Sequence, residues 1–110
     1  MDIFHKFVIF PNIMDGFEEK CHTVCKRVLK KHYDQFRKDI KDGFFYNTPV
    51  QGQRRLTEML GNFRKEMDGV VQLGRNNTDL EVIKETIMGE YMQIGRKYGE
   101  RVLKRAGLKG

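Results

Sequence analysis

The chain has 110 residues, 33% of them charged and 39% hydrophobic, with a formal net charge of +6 and a pI of about 9.4. That length suits one domain with a modest core, and 1-110 is expected to be a single basic helical domain rather than a disordered or membrane-embedded chain. The longest apolar run, Phe7 to Phe10, is too short to span a bilayer, and the first residues carry no leader pattern, so a cytoplasmic or nuclear protein without membrane contact is expected.

Residues 1–14 are ambiguous. Phe4, Phe7, Val8, Ile9 and Phe10, ahead of Pro11, suit a short strand, a short helix or an apolar strap. A long amphipathic helix then begins at Asp15, which with Glu18 forms a potential capping box, and stops at Gly43. Phe17, Cys21, Val24, Cys25, Val28, Leu29, Phe36 and Ile40 fall on one continuous face of it. The connection Gly43-Phe44-Phe45-Tyr46-Asn47 is aromatic and either plugs the core or exposes rings for stacking.

A second helix starts at Thr48-Pro49-Val50-Gln51, with a threonine N-cap and proline at the first helical position. Leu56, Met59, Leu60, Phe63, Met67, Val70 and Val71 share its apolar face, and Gly74 marks a stop. Gly52, Gly61 and Gly69 each weaken it by roughly 1 kcal/mol relative to alanine, which puts its continuity in question.

The third helix opens on another capping-box pattern, Thr78-Asp79-Leu80-Glu81, and ends at Gly107. Leu80, Ile83, Ile87, Tyr91, Ile94, Tyr98 and Val102 follow steps of 3, 4, 4, 3, 4 and 4, close to the eleven-residue period of nearly straight helix packing. Gly95 and Gly99 lie beside that stripe and would let another helix approach closely. The expected architecture is all-α: three long amphipathic helices in a small bundle, with the apolar N-terminal segment as strand or strap.

The stretch CHTVCKRVLKKH, residues 21–32, raises the question of a metal site. Cys21, Cys25 and His32 share a helical face, but His32 lies about 10 Å along the axis from Cys25. His22 points away, and only His5 remains as a further histidine. Zinc sites converge ligands from a turn and add a second ligand pair. No metal and no cofactor is expected, and the cysteines read as free, buried thiols, since side chains four residues apart on one helix rarely reach the geometry of a disulfide.

The charges are distributed unevenly. Lys20, Lys26, Arg27, Lys30, Lys31, Arg37, Lys38 and Lys41 fill the sector opposite the apolar face of the first helix, a stripe about 32 Å long. Residues 20–41 hold eight basic and two acidic side chains; residues 96–110 hold six basic and one acidic, with Arg101, Lys104 and Arg105 among the basic; residues 54–90 are nearly balanced. A solvated face would intersperse its signs. Two concentrated basic segments point to a polyanion.

Phosphate-loop, dinucleotide, zinc-protease, calcium-loop and nucleophile-elbow patterns are all missing, as are helix-turn-helix and RNP patterns. Asp79, Glu81, Glu85 and Glu90 suit the N-terminal half of a helix dipole better than acid–base chemistry, so an enzyme is not expected.

The expected function is sequence-independent binding of double-stranded nucleic acid, RNA slightly ahead of DNA, through the first helix and the basic C-terminus. A long helix face can touch phosphates and 2′-hydroxyls across the wide minor groove of an A-form duplex without entering the deep groove. The layout, though no motif, resembles that of small viral helical proteins that sequester duplex RNA, a likeness of architecture alone. The Gly95/Gly99 patch and the even stripe of the third helix suit a two-fold interface as well as a monomeric bundle; a homodimer, which would double the basic stripe, is the expectation. The rival expectation is a protein-interaction module, such as a viral or phage regulator. It would dock an acidic partner surface with Phe44, Phe45 and Tyr46 as anchors and the lysines steering association. A third is a structural subunit whose positive face lines a genome-containing particle.

Overall fold

The computed structural model describes residues 8–9, 16–73 and 77–108. Three helices, α1 (Phe17–Asp42), α2 (Pro49–Val70) and α3 (Thr78–Arg105), pack against one another in a small all-α bundle. Two residue pairs, Val8 with Gln72 and Ile9 with Leu73, form a minimal parallel ladder between β1 (Val8–Ile9) and β2 (Gln72–Leu73). Within the described residues the apolar N-terminal segment therefore contributes a strand.

Cross-helix contacts fix the directions. His22 meets Tyr91 and Tyr33 meets Tyr98, so α1 and α3 run parallel. His32 meets Glu66 and Asp39 meets Arg55, so α2 runs opposite to α1. This up-down-up course brings the C-termini of α1 and α3 to one end of the bundle.

The helix ends are set by local chemistry. The expected Asp15 cap lies outside the described residues; the described N-cap of α1 is Gly16, with φ 93° and no side-chain cap bond. Gly43, with φ 64°, ends α1 by donating its N–H to Asp39 O. Thr48 caps α2 by accepting from Gln51 N at 3.2 Å, while the Gln51 side chain accepts from Asn47 N. Despite its glycines, α2 is unbroken, and it ends at Val70, before Gly74. The Thr78 cap does not form: Thr78 is inside α3, and Asn77 stands at the N-cap without a side-chain cap bond.

The end of α3 shapes the functional region most. Leu108 N donates to Leu103 O and Gly107 N to Lys104 O, with Gly107 at φ 74°. Those two bonds are a Schellman motif, and the buried Leu103 and Leu108 supply its apolar contact. Both leucines press on Gly52 of α2, where an added Cβ would sit 2.8 Å from Leu103 Cδ2. Gly52 is therefore a contact surface.

All eight apolar residues expected on α1 are its buried ones. On α3 the buried seam is instead Leu80, Lys84, Ile87, Met88, Tyr91, Gly95, Gly99 and Leu103. Ile94 and Tyr98 stay exposed and Val102 half-buried. The seam shifts by one residue because Gly95 admits Leu29 and Leu60, each 3.0 Å from where its Cβ would be, and Gly99 admits Leu56. The close approach expected between helices is thus made within the chain.

Two charged residues complete the interior. Lys84, 5% exposed, donates to Val71 O at 3.1 Å and pairs with Asp68 at 3.2 Å, tying the end of α2 to α3. Arg55, 7% exposed, donates from Nε to Asp39 at 3.0 Å, and its guanidinium lies 6.0 Å from the ring centroids of both Phe36 and Tyr46.

Candidate functional site

α1 is continuous from Phe17 to Asp42, so Lys20 through Lys41 share one helix, and all eight of its basic side chains are exposed. Their surroundings differ. Lys31 Nζ lies 2.7 Å from the Glu66 carboxylate and Lys30 Nζ 2.6 Å from Asp34. Lys20, Lys26, Lys38 and Lys41 meet no carboxylate among the described residues. Arg27 is exposed on the same helix.

On the side toward α3 the stripe joins an aromatic seam. Lys26 and Lys30 border an apolar groove of about 320 Å³ lined by Tyr33, Tyr91, Ile94 and Tyr98 over Gly95. The Arg37 guanidinium lies 5.7 Å from the Tyr33 ring centroid and Arg101 lies 5.1 Å from that of Tyr98; the two tyrosines meet edge to face. Such contacts hold the flat guanidinium groups in place while leaving their edges free for hydrogen bonds.

Beyond this seam the parallel ends of α1 and α3 enclose a cleft of about 800 Å³. Arg37, Lys38 and Lys41 line it from α1, Arg105 from α3, and Tyr46 and Asn47 from the connection. Asp34 is its only acidic lining residue among the described residues, and its carboxylate already accepts from Lys30. Val102, Leu108 and Ile40 give it an apolar floor. Two helix C-termini also point here, each equivalent to roughly half a negative charge. Those termini and Asp34 sum to about two negative charges against four cations, so a positive surplus remains.

Of the residues expected from sequence, the cleft unites Arg37, Lys38, Lys41 and Arg105 from segments more than sixty residues apart. Arg101 adjoins it through the tyrosine pair. Lys26 and Lys30 continue the face along the groove, Lys20 stands near the start of α1, and Lys31 turns toward α2. Lys104 is exposed beside Arg105 without lining the cleft. Phe44 and Phe45 are exposed, and Tyr46 is packed against the core.

The chain matches no protein-family model, no curated protein and no solved structure.

The cysteines and histidines of the 21–32 stretch are engaged elsewhere. Burial pushes the Cys21 thiol up to about 11 and the Cys25 thiol up to about 12, so both remain protonated and unreactive. Both are free of disulfide. His22 Nδ1 is hydrogen-bonded to the Tyr91 hydroxyl at 3.0 Å, and His32 Nε2 lies 2.8 Å from Glu66. Burial, with Cys25 and Glu90 nearby, raises the Tyr91 hydroxyl above its ordinary range. Among the described residues, no three histidine, cysteine, aspartate or glutamate side chains gather as a metal ion would require. No helix among them is long and apolar enough to cross a membrane.

Arg55, like Tyr33 of the aromatic seam, is a residue that sequence reasoning missed. It is charged, yet it occupies the buried stripe Gly52-Arg55-Met59-Phe63, and that helical spacing was the available signal. Through Asp39 and the rings of Phe36 and Tyr46 it joins α1, α2 and the connection directly behind the cleft's Tyr46.

Proposed function

We propose that the protein binds double-stranded nucleic acid without reading its sequence, RNA in preference to DNA, through the face formed by α1 and the C-terminal turns of α3. The observation that carries this reading is the convergence of the two basic segments: Arg37, Lys38 and Lys41 share a cleft with Arg105, at one end of an unbroken cationic helix. Cations spread along about 32 Å of helix suit successive phosphates. A stripe of that length exceeds the few turns that a recognition helix lays in a major groove, so it suits following the phosphate backbone, which positions a duplex without selecting its sequence. The preference for RNA follows from shape, since an A-form duplex offers a wide, shallow groove bordered by phosphates and 2′-hydroxyls. The reading needs no second copy of the chain.

Fluorescence anisotropy with duplex RNA, duplex DNA and single strands, each at two salt concentrations, tests it. The expected order is duplex RNA, then duplex DNA, with affinity falling steeply as salt rises. No duplex binding at about 50 mM salt removes the reading. The exposure of Phe44 and Phe45 favours a second one, in which the same face docks an acidic protein with those rings as anchors. Weak, salt-insensitive association with every nucleic acid would shift the balance that way.

A further inference from the structure

The turn from α1 to α2 holds two phenylalanines in water. Phe44 and Phe45 are 77% and 71% exposed and meet edge to face with ring centroids 4.7 Å apart. The turn itself does not require them. Gly43 supplies the left-handed residue, and Asn47, Thr48 and Gln51 supply the cap of α2. Large apolar rings at such exposure are unfavourable in water and gain most from a partner.

Their position suggests that partner. Gly43 on one side and Tyr46 with Asn47 on the other line the cleft that carries Arg37, Lys38, Lys41 and Arg105. The cleft's volume, about 800 Å³, lies in the range of pockets that enclose small-molecule-sized ligands, so a nucleotide fits its scale. Behind Tyr46 stands the Arg55 guanidinium, whose Nη1 has no hydrogen-bond partner among the described residues. Exposed aromatic rings beside clustered cations form the arrangement that holds unstacked bases: rings take the base faces and cations the phosphates. Bases inside a duplex are paired and stacked, so the helical face can use only their backbone. The rings become useful where pairing stops.

We propose that Phe44, Phe45 and the adjoining cleft take the unpaired nucleotides that continue from the end of a duplex, so that the protein prefers a duplex–single-strand junction to a blunt duplex. This deepens the duplex-binding reading and rests on it for the placement of the paired segment along α1.

Anisotropy titrations of a blunt RNA duplex, the same duplex with a short single-stranded overhang, and the overhang strand alone test the proposal, with wild type and a Phe44→Ala/Phe45→Ala variant. Both rings are exposed, so their truncation leaves the core intact. The expected result is roughly 5- to 150-fold tighter binding of the overhang duplex than of the blunt one, the range given by stacking of a single base. The double variant should lose that advantage and keep its blunt-duplex affinity. Equal binding of blunt and overhang duplexes overturns the proposal and leaves the duplex reading standing. So does an overhang preference that survives in the variant, because the rings then serve something other than a base. Binding of the lone strand as tightly as the junction also overturns it. If neither duplex binds, both readings fall.

Discussion

Glu66 is where a single carboxylate sets the charge of the bundle's flank. Burial pushes its carboxyl up, but hydrogen bonds from Lys31 and His32, and their charges, outweigh this and hold it below the ordinary value of 4.5. A folded-state value depressed in this way contributes stability above the unfolded value, and that contribution is lost as pH falls through the folded one. Glu66→Gln should therefore lower stability at pH 7 by up to about 1 kcal/mol, as for a solvent-accessible ion pair, and the deficit should vanish at the acid end. Urea midpoints of wild type and variant from pH 7 to pH 3 check this: the curves should converge below about pH 4.5. A constant gap would mean that Glu66 acts through packing and not through its charge. Arg55 shows a different residue-level effect. Its guanidinium sits between two rings and bonds Asp39, a geometry in which lysine is a poor substitute.

Among the elements, α1 was legible because its buried side is made entirely of apolar side chains, and the turn of an ideal helix places Phe17 through Ile40 on one face without outside help. α3 was legible only in its extent. Its burial seam runs through Lys84, Gly95 and Gly99, residue types that carry no apolar signal, and the stripe of Ile94, Tyr98 and Val102 beside it is the stronger pattern in sequence. Which of two adjacent rows turns inward depends on what the neighbouring helix offers, here Leu29, Leu56 and Leu60. The candidate site was legible in the same measure. The basic residues could be named from their clustering, whereas the meeting of Arg37 with Arg105 depends on α1 and α3 running parallel, which no local pattern encodes. The glycines give this a test. Around Gly61 nothing lies within 4 Å of an added Cβ, so Gly61→Ala should raise stability by about 0.5 to 1 kcal/mol through helix propensity alone. At Gly99 the methyl group would collide with the fully buried Leu56, so Gly99→Ala should lower stability by about 1 to 3 kcal/mol despite the same gain in propensity. Opposite signs in urea unfolding are expected; two gains would mean that α3 and α2 stand further apart than this packing has them.

At the scale of the whole molecule, an elongated body of 49 × 28 × 19 Å carries its cations along its length and concentrates them where two helices end. Part of that concentration answers the helix dipoles, which is a structural role and would persist in a protein that binds nothing. The two roles separate in the salt dependence of binding. Each cation that displaces a counterion from duplex nucleic acid steepens the plot of log affinity against log salt by about 0.9. Lys38 lines the cleft and forms no ion pair with a carboxylate among the described residues, so Lys38→Gln should flatten the slope by about that amount for duplex RNA. Lys31 is held by Glu66, which already supplies its counter-charge, so Lys31→Gln should change the slope by less than half as much although it removes the same formal charge. The comparison is between two lysines of one helix, seven residues apart, and it cancels any effect of net charge on solubility or long-range attraction. Equal changes would mean that the molecule attracts RNA as a uniformly charged body. Unequal changes in the stated order would mean that phosphates lie against the cleft side of α1, where its cations are free to meet them.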